Sequence, residues 1–184
     1  MTNEIEIIGF GNFFTMNYLS AFNVATAAVT HSKVAHMGVM FRKSDGTVVY
    51  FEARFEEGFV GPFPFERVYN WVTKSWFRAL HLRWLPLSKD DKEERLVKKW
   101  NYANKMVEET KGYAKSQLLS NWAHEWKGWD VPTDSSLVTC SEAGGLIDAP
   151  DYILTDEKHK NFDSITPGSA KKKLDLILKK RGLL

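Results

Sequence analysis

Two runs rich in β-branched and aromatic residues, Val34 to Phe41 and Thr47 to Ala53, flank the tetrapeptide Lys43-Ser44-Asp45-Gly46. That pattern is a hairpin signal, and it commits the middle of the chain to antiparallel sheet. The turn also governs which side chains meet. If Ser44-Asp45-Gly46 forms a three-residue loop with Gly46 in the left-handed conformation, Lys43 faces Thr47 and Gly38 faces Glu52. His36 and Glu52 are then diagonal neighbours on one sheet face, roughly 7–8 Å apart and within reach of each other. If Asp45-Gly46 is instead a two-residue turn, the register slips by one and Glu52 leaves that face. The three-residue loop is the reading we favour.

Around the hairpin the pattern predicts a short buried strand over Ile5 to Ile8 and a helix over Asn17 to Thr30. Phe55 to Phe65, broken by Gly and Pro, reads as a loop or short strand, and Phe65 to Trp76 as a helix. Ala79 to Leu85 alternates, with Leu80, Leu82 and Trp84 on one face and His81 and Arg83 on the other. Lys89 to Thr110 is the clearest helix: acids open it, and Leu96, Trp100, Ala103 and Val107 recur at helical spacing. A shorter helix is predicted over Tyr113 to Trp122. A basic amphipathic helix closes the chain over about 169–184, with Leu174, Ile177 and Leu178 as its apolar stripe. It reads as a surface helix docked on the core, its charge leaving a nucleic-acid or lipid contact as the alternative. No repeat, low-complexity tract or linker divides residues 1–184. The expectation is one α+β domain built on an antiparallel sheet or small barrel, with a Cys-bearing helix packed against it.

Several function classes fall away. The 184 residues carry 25 Lys and Arg against 23 Asp and Glu, a net +2, too small for bulk attraction to nucleic acid or an anionic membrane. With 43% apolar and 26% charged residues, the composition is that of a globular chain. No apolar run is long enough to span a bilayer. The acidic start lacks a basic n-region and a small-residue cleavage site, so the expectation is a cytosolic or virus-encoded protein. The single cysteine, Cys140, excludes an internal disulfide and any Cys-rich metal site. Gly9-Phe10-Gly11 lacks the third glycine and the ribose-binding acid of a dinucleotide site. His124-Glu125 begins like a zinc-protease helix, but Gly128 stands where the second His belongs. No phosphate-binding loop, serine nucleophile elbow or zinc ligand set is present. No cofactor or metal is expected.

What survives is Cys140 at a loop-to-helix junction, His36 in one strand and Glu52 in the next. Thiol chemistry asks for a thiolate, a base beside it and a third group to hold that base. A helix N-terminus favours the thiolate and supplies N–H groups for an oxyanion. Gly144 and Gly145 would each cost about 1 kcal/mol in a helix interior, so the expectation is close packing on the sheet that carries His36. Taken singly, each residue has a structural reading. Cys140 reads equally as a buried small hydrophobe, His36 as a hydrogen-bonded strand residue, and Glu52 as a partner for Arg54 or Arg83. Cys140-Ser141-Glu142 reads equally as a capped helix start. The aromatics Phe55, Phe59, Phe63, Phe65, Trp71, Trp76, Trp84, Trp122, Trp126 and Trp129 read as core or rim, or as walls of an apolar cleft.

The order His, acid, Cys resembles the circularly permuted branch of the NlpC superfamily of papain-like cysteine hydrolases (the YiiX-like and YaeF-like proteins). Lecithin retinol acyltransferase is a more distant relative of that branch. Ser32 to Val39 is similar to the Ser-x-x-x-His-x-Gly-apolar strand of that branch, and Val49 to Ala53 to its apolar-x-Glu-Ala strand. Thr139 to Glu142 matches its Cys-Ser-Glu signature, and Ile165-Thr166-Pro167 resembles a late Thr-Pro element. Gly11-Asn12-Phe13-Phe14 looks like a degenerate Gly-Asp-apolar opening, with Asn12 in place of the Asp. The resemblance implies a permuted papain-like fold with Cys140 as nucleophile, His36 as base and Glu52 as the residue that orients it. It also implies an oxyanion contribution from Tyr113, although Ala114 replaces the usual neighbouring Asp. The activity implied is that of a thiol peptidase or amidase, with cell-wall peptides (peptidoglycan) as the leading substrate class and lipid esters or amides second. A chain without an export signal would reach peptidoglycan through lysis, injection or a virion. A non-catalytic binding or structural module of the same fold, for example a virion component, is the alternative of a different class.

Overall fold

The computed structural model describes residues 6–85, 92–110, 112, 127, 139–148 and 165–184. In chain order its elements are β1 (Ile7–Asn17), α1 (Ala21–Val29), β2 (His36–Lys43), β3 (Val48–Arg54), β4 (Gly58–Pro64), α2 (Glu66–Thr73) and β5 (Arg78–Trp84). They continue with α3 (Lys92–Glu109), α4 (Cys140–Asp148) and α5 (Pro167–Lys180). The strands form one antiparallel sheet in the order β4-β3-β2-β1-β5, and among the described residues no pairing joins β4 to β5. The architecture is therefore α+β on an open sheet.

The first strand is much longer than the apolar run at Ile5 to Ile8 suggests. Gly9, Gly11 and Asn12 are poor strand formers, yet β1 runs through them as a central strand paired on both sides. Tertiary burial decides the matter, because Phe10 and Phe14 face one side of the sheet while Phe13 faces the other. Ser20 caps α1 through a hydrogen bond from the Asn23 N–H, which shortens the predicted helix at its start.

Strand alternation gives the sheet two different faces. One carries Phe10, Phe14, Met37, Val39, Phe41 and Phe51, and it is covered by α3, α4 and α5 through Leu96, Ala103, Ala143, Ile147 and Leu174. The rings of Phe41 and Phe51 meet Trp100 of α3 edge-on, at 5.2 and 5.4 Å. The other face carries Phe13, Met40 and Tyr50 and is covered in part by α2 through Val68. The basic helix α5 docks by burying Ala170, Leu174 and Leu178, while Asp175 accepts from Arg83 of β5 and from Lys171.

Helix α4 is pinned along its length. At its C-terminal end the buried Lys99 of α3 donates to the Ile147 carbonyl at 3.0 Å, placing a cation where the helix dipole favours one. In its middle it rides close on β2: a Cβ at Gly144 would lie 2.5 Å from the Met37 methyl. Gly144→Ala should therefore destabilise the fold by about 1–3 kcal/mol through overpacking, measured by urea unfolding. A loss below about 0.5 kcal/mol, ordinary for a surface change, would show that Met37 simply swings aside.

Candidate active site

The hairpin turn brings two of the three residues together. The Lys43 N–H donates to the Thr47 carbonyl at 2.9 Å, the Gly46 N–H to the Lys43 carbonyl at 2.9 Å, and Gly46 has φ 85°. This is the three-residue loop, and it places Gly38 opposite Glu52. His36 and Glu52 consequently share a face, and His36 Nε2 lies 2.8 Å from Glu52 Oε2. The other carboxylate oxygen, Oε1, accepts from Arg54 Nε at 2.8 Å. Arg54 in turn reaches Glu57 at 3.2 Å and the Tyr50 hydroxyl at 3.4 Å.

Cys140 arrives from the opposite side of the sheet. Thr139 and Glu142 form a reciprocal capping box: the Glu142 N–H donates to Thr139 Oγ1 at 3.2 Å, and the Thr139 N–H to Glu142 Oε2 at 3.1 Å. The Ser141 hydroxyl donates to the Ile165 carbonyl, which ties the start of α4 to the segment leading into α5. Thr166 caps α5 with Ser169 in a second box, and Pro167 opens that helix. The residues flanking Cys140 thus hold the helix start in place, as the capped-helix reading of Cys140-Ser141-Glu142 anticipates. The Cys140 side chain, 3% exposed, belongs to the cluster beneath the sheet and lies near enough to the His36 ring to raise its pKa. His36 is the first residue of β2, so the helix start reaches it past the strand's end. With Nε2 committed to Glu52, Nδ1 is the nitrogen left for the thiol.

The electrostatics follow from this geometry. Burial would lower the His36 pKa, but hydrogen bonds to Cys140 and Glu52 and the charge on both outweigh it and push it up to about 10. Burial likewise opposes ionisation of Glu52, yet the His36 hydrogen bond and charge, then those of Arg54, hold its carboxyl below the usual range. An imidazolium beside the Glu52 carboxylate is the charge state these shifts favour. With a thiol next to it, such an arrangement can deliver a nucleophilic sulfur and a proton from the same site.

Gly38 does not leave space beside the imidazole. A Cβ there would lie 2.4 Å from the Phe13 ring, which fills that space and packs edge-on against His36 at 6.3 Å between centroids. The open space lies along the other edge of the pair. A cleft of about 510 Å³ and an adjoining one of about 280 Å³ share Thr15, His36, Glu52, Arg54 and Trp71 in their walls. Of the aromatics in the candidate wall, Phe55 and Trp71 line the larger cleft and Phe63 and Phe65 pack under α2. Phe59 is buried in the core, and Trp76 is exposed at 84%.

Tyr113 lies outside the described residues, as do the helix predicted over 113–122 and Trp122, Trp126 and Trp129. The neighbouring Gly112 abuts Gly58, which pairs with Arg54. Sequence reasoning missed Phe22 and Arg67, which line the clefts, because nothing in the helical spacing shows which side of the sheet α1 and α2 cover, and Thr15 because the predicted first strand ends at Ile8. It also missed the burial of Asn12 on the face that carries α4, where its amide has no hydrogen-bond partner among the described residues. Among the described residues no group of three His, Cys, Asp or Glu could hold a metal, and no helix is long and apolar enough to cross a membrane. No family model matches the chain, and no curated protein matches it in sequence.

Two measurements test this geometry. Thr139→Ala should cost about 1 kcal/mol of stability by removing the cap at the start of α4. The stability difference between wild type and Glu52→Gln should depend on pH in a definite sense. His36 has its folded pKa raised, so its contribution is complete below its ordinary 6.5 and fades as pH rises towards about 10. Glu52, with its folded pKa lowered, contributes above its ordinary 4.5 and loses that as pH falls. Urea unfolding across pH should therefore show the largest difference near pH 6, shrinking towards pH 10.

Proposed function

We propose that the chain is a cysteine hydrolase that cleaves amide bonds through Cys140, His36 and Glu52, with the permuted papain-like fold that its motifs resemble. The observation that carries this reading is one imidazole paired with a carboxylate at 2.8 Å, its pKa raised further by the chain's only cysteine at a helix N-terminus. In the first step the Cys140 thiolate attacks the substrate carbonyl, forming a C–S bond and an oxyanion. The C–N bond then breaks as the His36 imidazolium protonates the departing amine. In the second step neutral His36 takes a proton from water, and the resulting hydroxide adds to the thioester. The C–S bond breaks, releasing the carboxylic acid and restoring the thiolate. Glu52 holds the ring in one orientation and stabilises its charge. Arg54 holds Glu52.

Peptide amides of the cell-wall class lead as substrates on the strength of the motif resemblance, with lipid esters or amides second. A binding module of the same fold is the second reading, and the 3% exposure of Cys140 favours it. Tyr113 remains the proposed oxyanion donor on resemblance alone. Cytoplasmic expression or carriage in a virion is the setting proposed with this activity.

Alkylation of Cys140 by iodoacetamide against pH separates these readings. A hydrolase predicts fast labelling that persists below about pH 7 and slows at least tenfold at pH 6 in His36→Ala. Labelling with a midpoint at or above the free-thiol value of about 8.5, unchanged by the mutation, excludes the ion pair and leaves the binding module.

A further inference from the structure

The two clefts that meet at His36 differ in chemistry. The larger is walled by Phe22, Asn23, Ala35, Ala53 and Phe55 beside Trp71, which both clefts share, and the Phe22 and Phe55 rings meet edge-on at 6.0 Å. The smaller is lined by Tyr50, Arg67 and Val68 beside the shared His36, Glu52 and Arg54. It presents two guanidiniums and one carboxylate, and that carboxylate has both oxygens engaged by His36 and Arg54.

The two arginines have different commitments. Arg54 is bound to Glu52 and Glu57. Arg67, exposed on the first turn of α2, makes no ion pair among the described residues. Its guanidinium is nonetheless positioned, 4.9 Å from the centre of the Phe63 ring, while Arg54 lies 4.6 Å from the same ring. Tyr50 is 2% exposed and its hydroxyl oxygen accepts from Arg54, while its own proton has no acceptor among the described residues. A preorganised guanidinium and a hydroxyl donor in one cleft make a receptor for a planar or tetrahedral oxyanion group.

We infer that the smaller cleft binds an anionic group of the substrate, a carboxylate or a phosphate, through Arg67 and Tyr50, while the larger cleft takes an apolar group. This rests on the reading of His36 as the point of attack, because it sets the scissile carbonyl between the two. The substrate is then an amphiphile with charge on one side of the acyl bond and hydrocarbon on the other. Glu52 does not repel the anion, since His36 and Arg54 neutralise it.

The test uses three probes, N-octanoylglycine, its neutral amide N-octanoylglycinamide and octyl phosphate, titrated calorimetrically into the full chain carrying Cys140→Ala so that no turnover occurs. N-octanoylglycine should bind at least tenfold more tightly than the amide. Adding Arg67→Gln should bring the two within twofold by weakening the acid alone, and Arg67→Lys should restore part of the difference. Phe55→Ala should weaken acid and amide equally. Octyl phosphate binding more tightly than the acid would assign phosphate as the anion, and the reverse would assign carboxylate. Equal affinity for acid and amide, or discrimination that survives Arg67→Gln, overturns the inference. Because these titrations do not use the thiol, they fail independently of the hydrolase reading. Selectivity without a reactive thiol leaves an anion-binding module, whereas a reactive thiol without selectivity removes this inference alone.

Discussion

Glu52 shares one carboxylate between two cations, and the rest of the site depends on that sharing. One oxygen meets the imidazole of His36 and the other the guanidinium of Arg54, each at 2.8 Å. A partly buried carboxylate with a single partner would be costly, and a partly buried imidazolium without a carboxylate would lose its proton. Together they sustain a positive ring at the end of β2, and the Cys140 side chain adds to what raises that ring's pKa. Arg54 also donates to Tyr50 and is held by Glu57, so the carboxylate is fixed from the solvent side. Removing Glu52 would therefore release the orientation of His36 and the anchoring of Arg54 together.

The hairpin was the most legible part of this arrangement, for a physical reason. A three-residue turn with a left-handed glycine permits one register, and a register fixes which side chains share a face. Lys43, Gly46 and the Gly38–Glu52 pair follow from that rule alone. Helix α3 was legible because its acids and apolar stripe obey helical spacing, although that spacing does not foresee Lys99, whose buried ammonium meets the Ile147 carbonyl and lies over the Phe10 ring. The long first strand was not legible. Its glycines and asparagine argue against a strand locally, and only pairing on both sides overrides them. The cleft walls were not legible either, since Phe22 and Arg67 line them from exposed positions of α1 and α2 that helical spacing alone does not relate to the sheet.

The two faces of the sheet divide the work of the fold. The face under α3, α4 and α5 is a packed aromatic and aliphatic core, and its role is to hold α4 at a fixed height and angle. Capping by Thr139 and Glu142, the Ser141 contact to Ile165, the close approach at Gly144 and the Lys99 cap act at successive points along that helix. Much of the Cys-Ser-Glu signature is thereby accounted for by helix mechanics, with only the cysteine side chain directed to His36. The opposite face keeps its space open beside His36 and Glu52, and α2 lends it Arg67 and Trp71. A site built across a strand's end in this way joins a rigid core to an open cleft through one imidazole.

The central claim is that this imidazole is held as an imidazolium by a carboxylate on one side and a thiolate on the other. It is tested most directly by following the His36 ring by NMR across pH in wild type and Cys140→Ala, with its resonance assigned by its loss in His36→Asn. The ring should titrate near 10 in wild type and at a clearly lower pH once the thiol is removed. Titration near 6.5 in both proteins would contradict it.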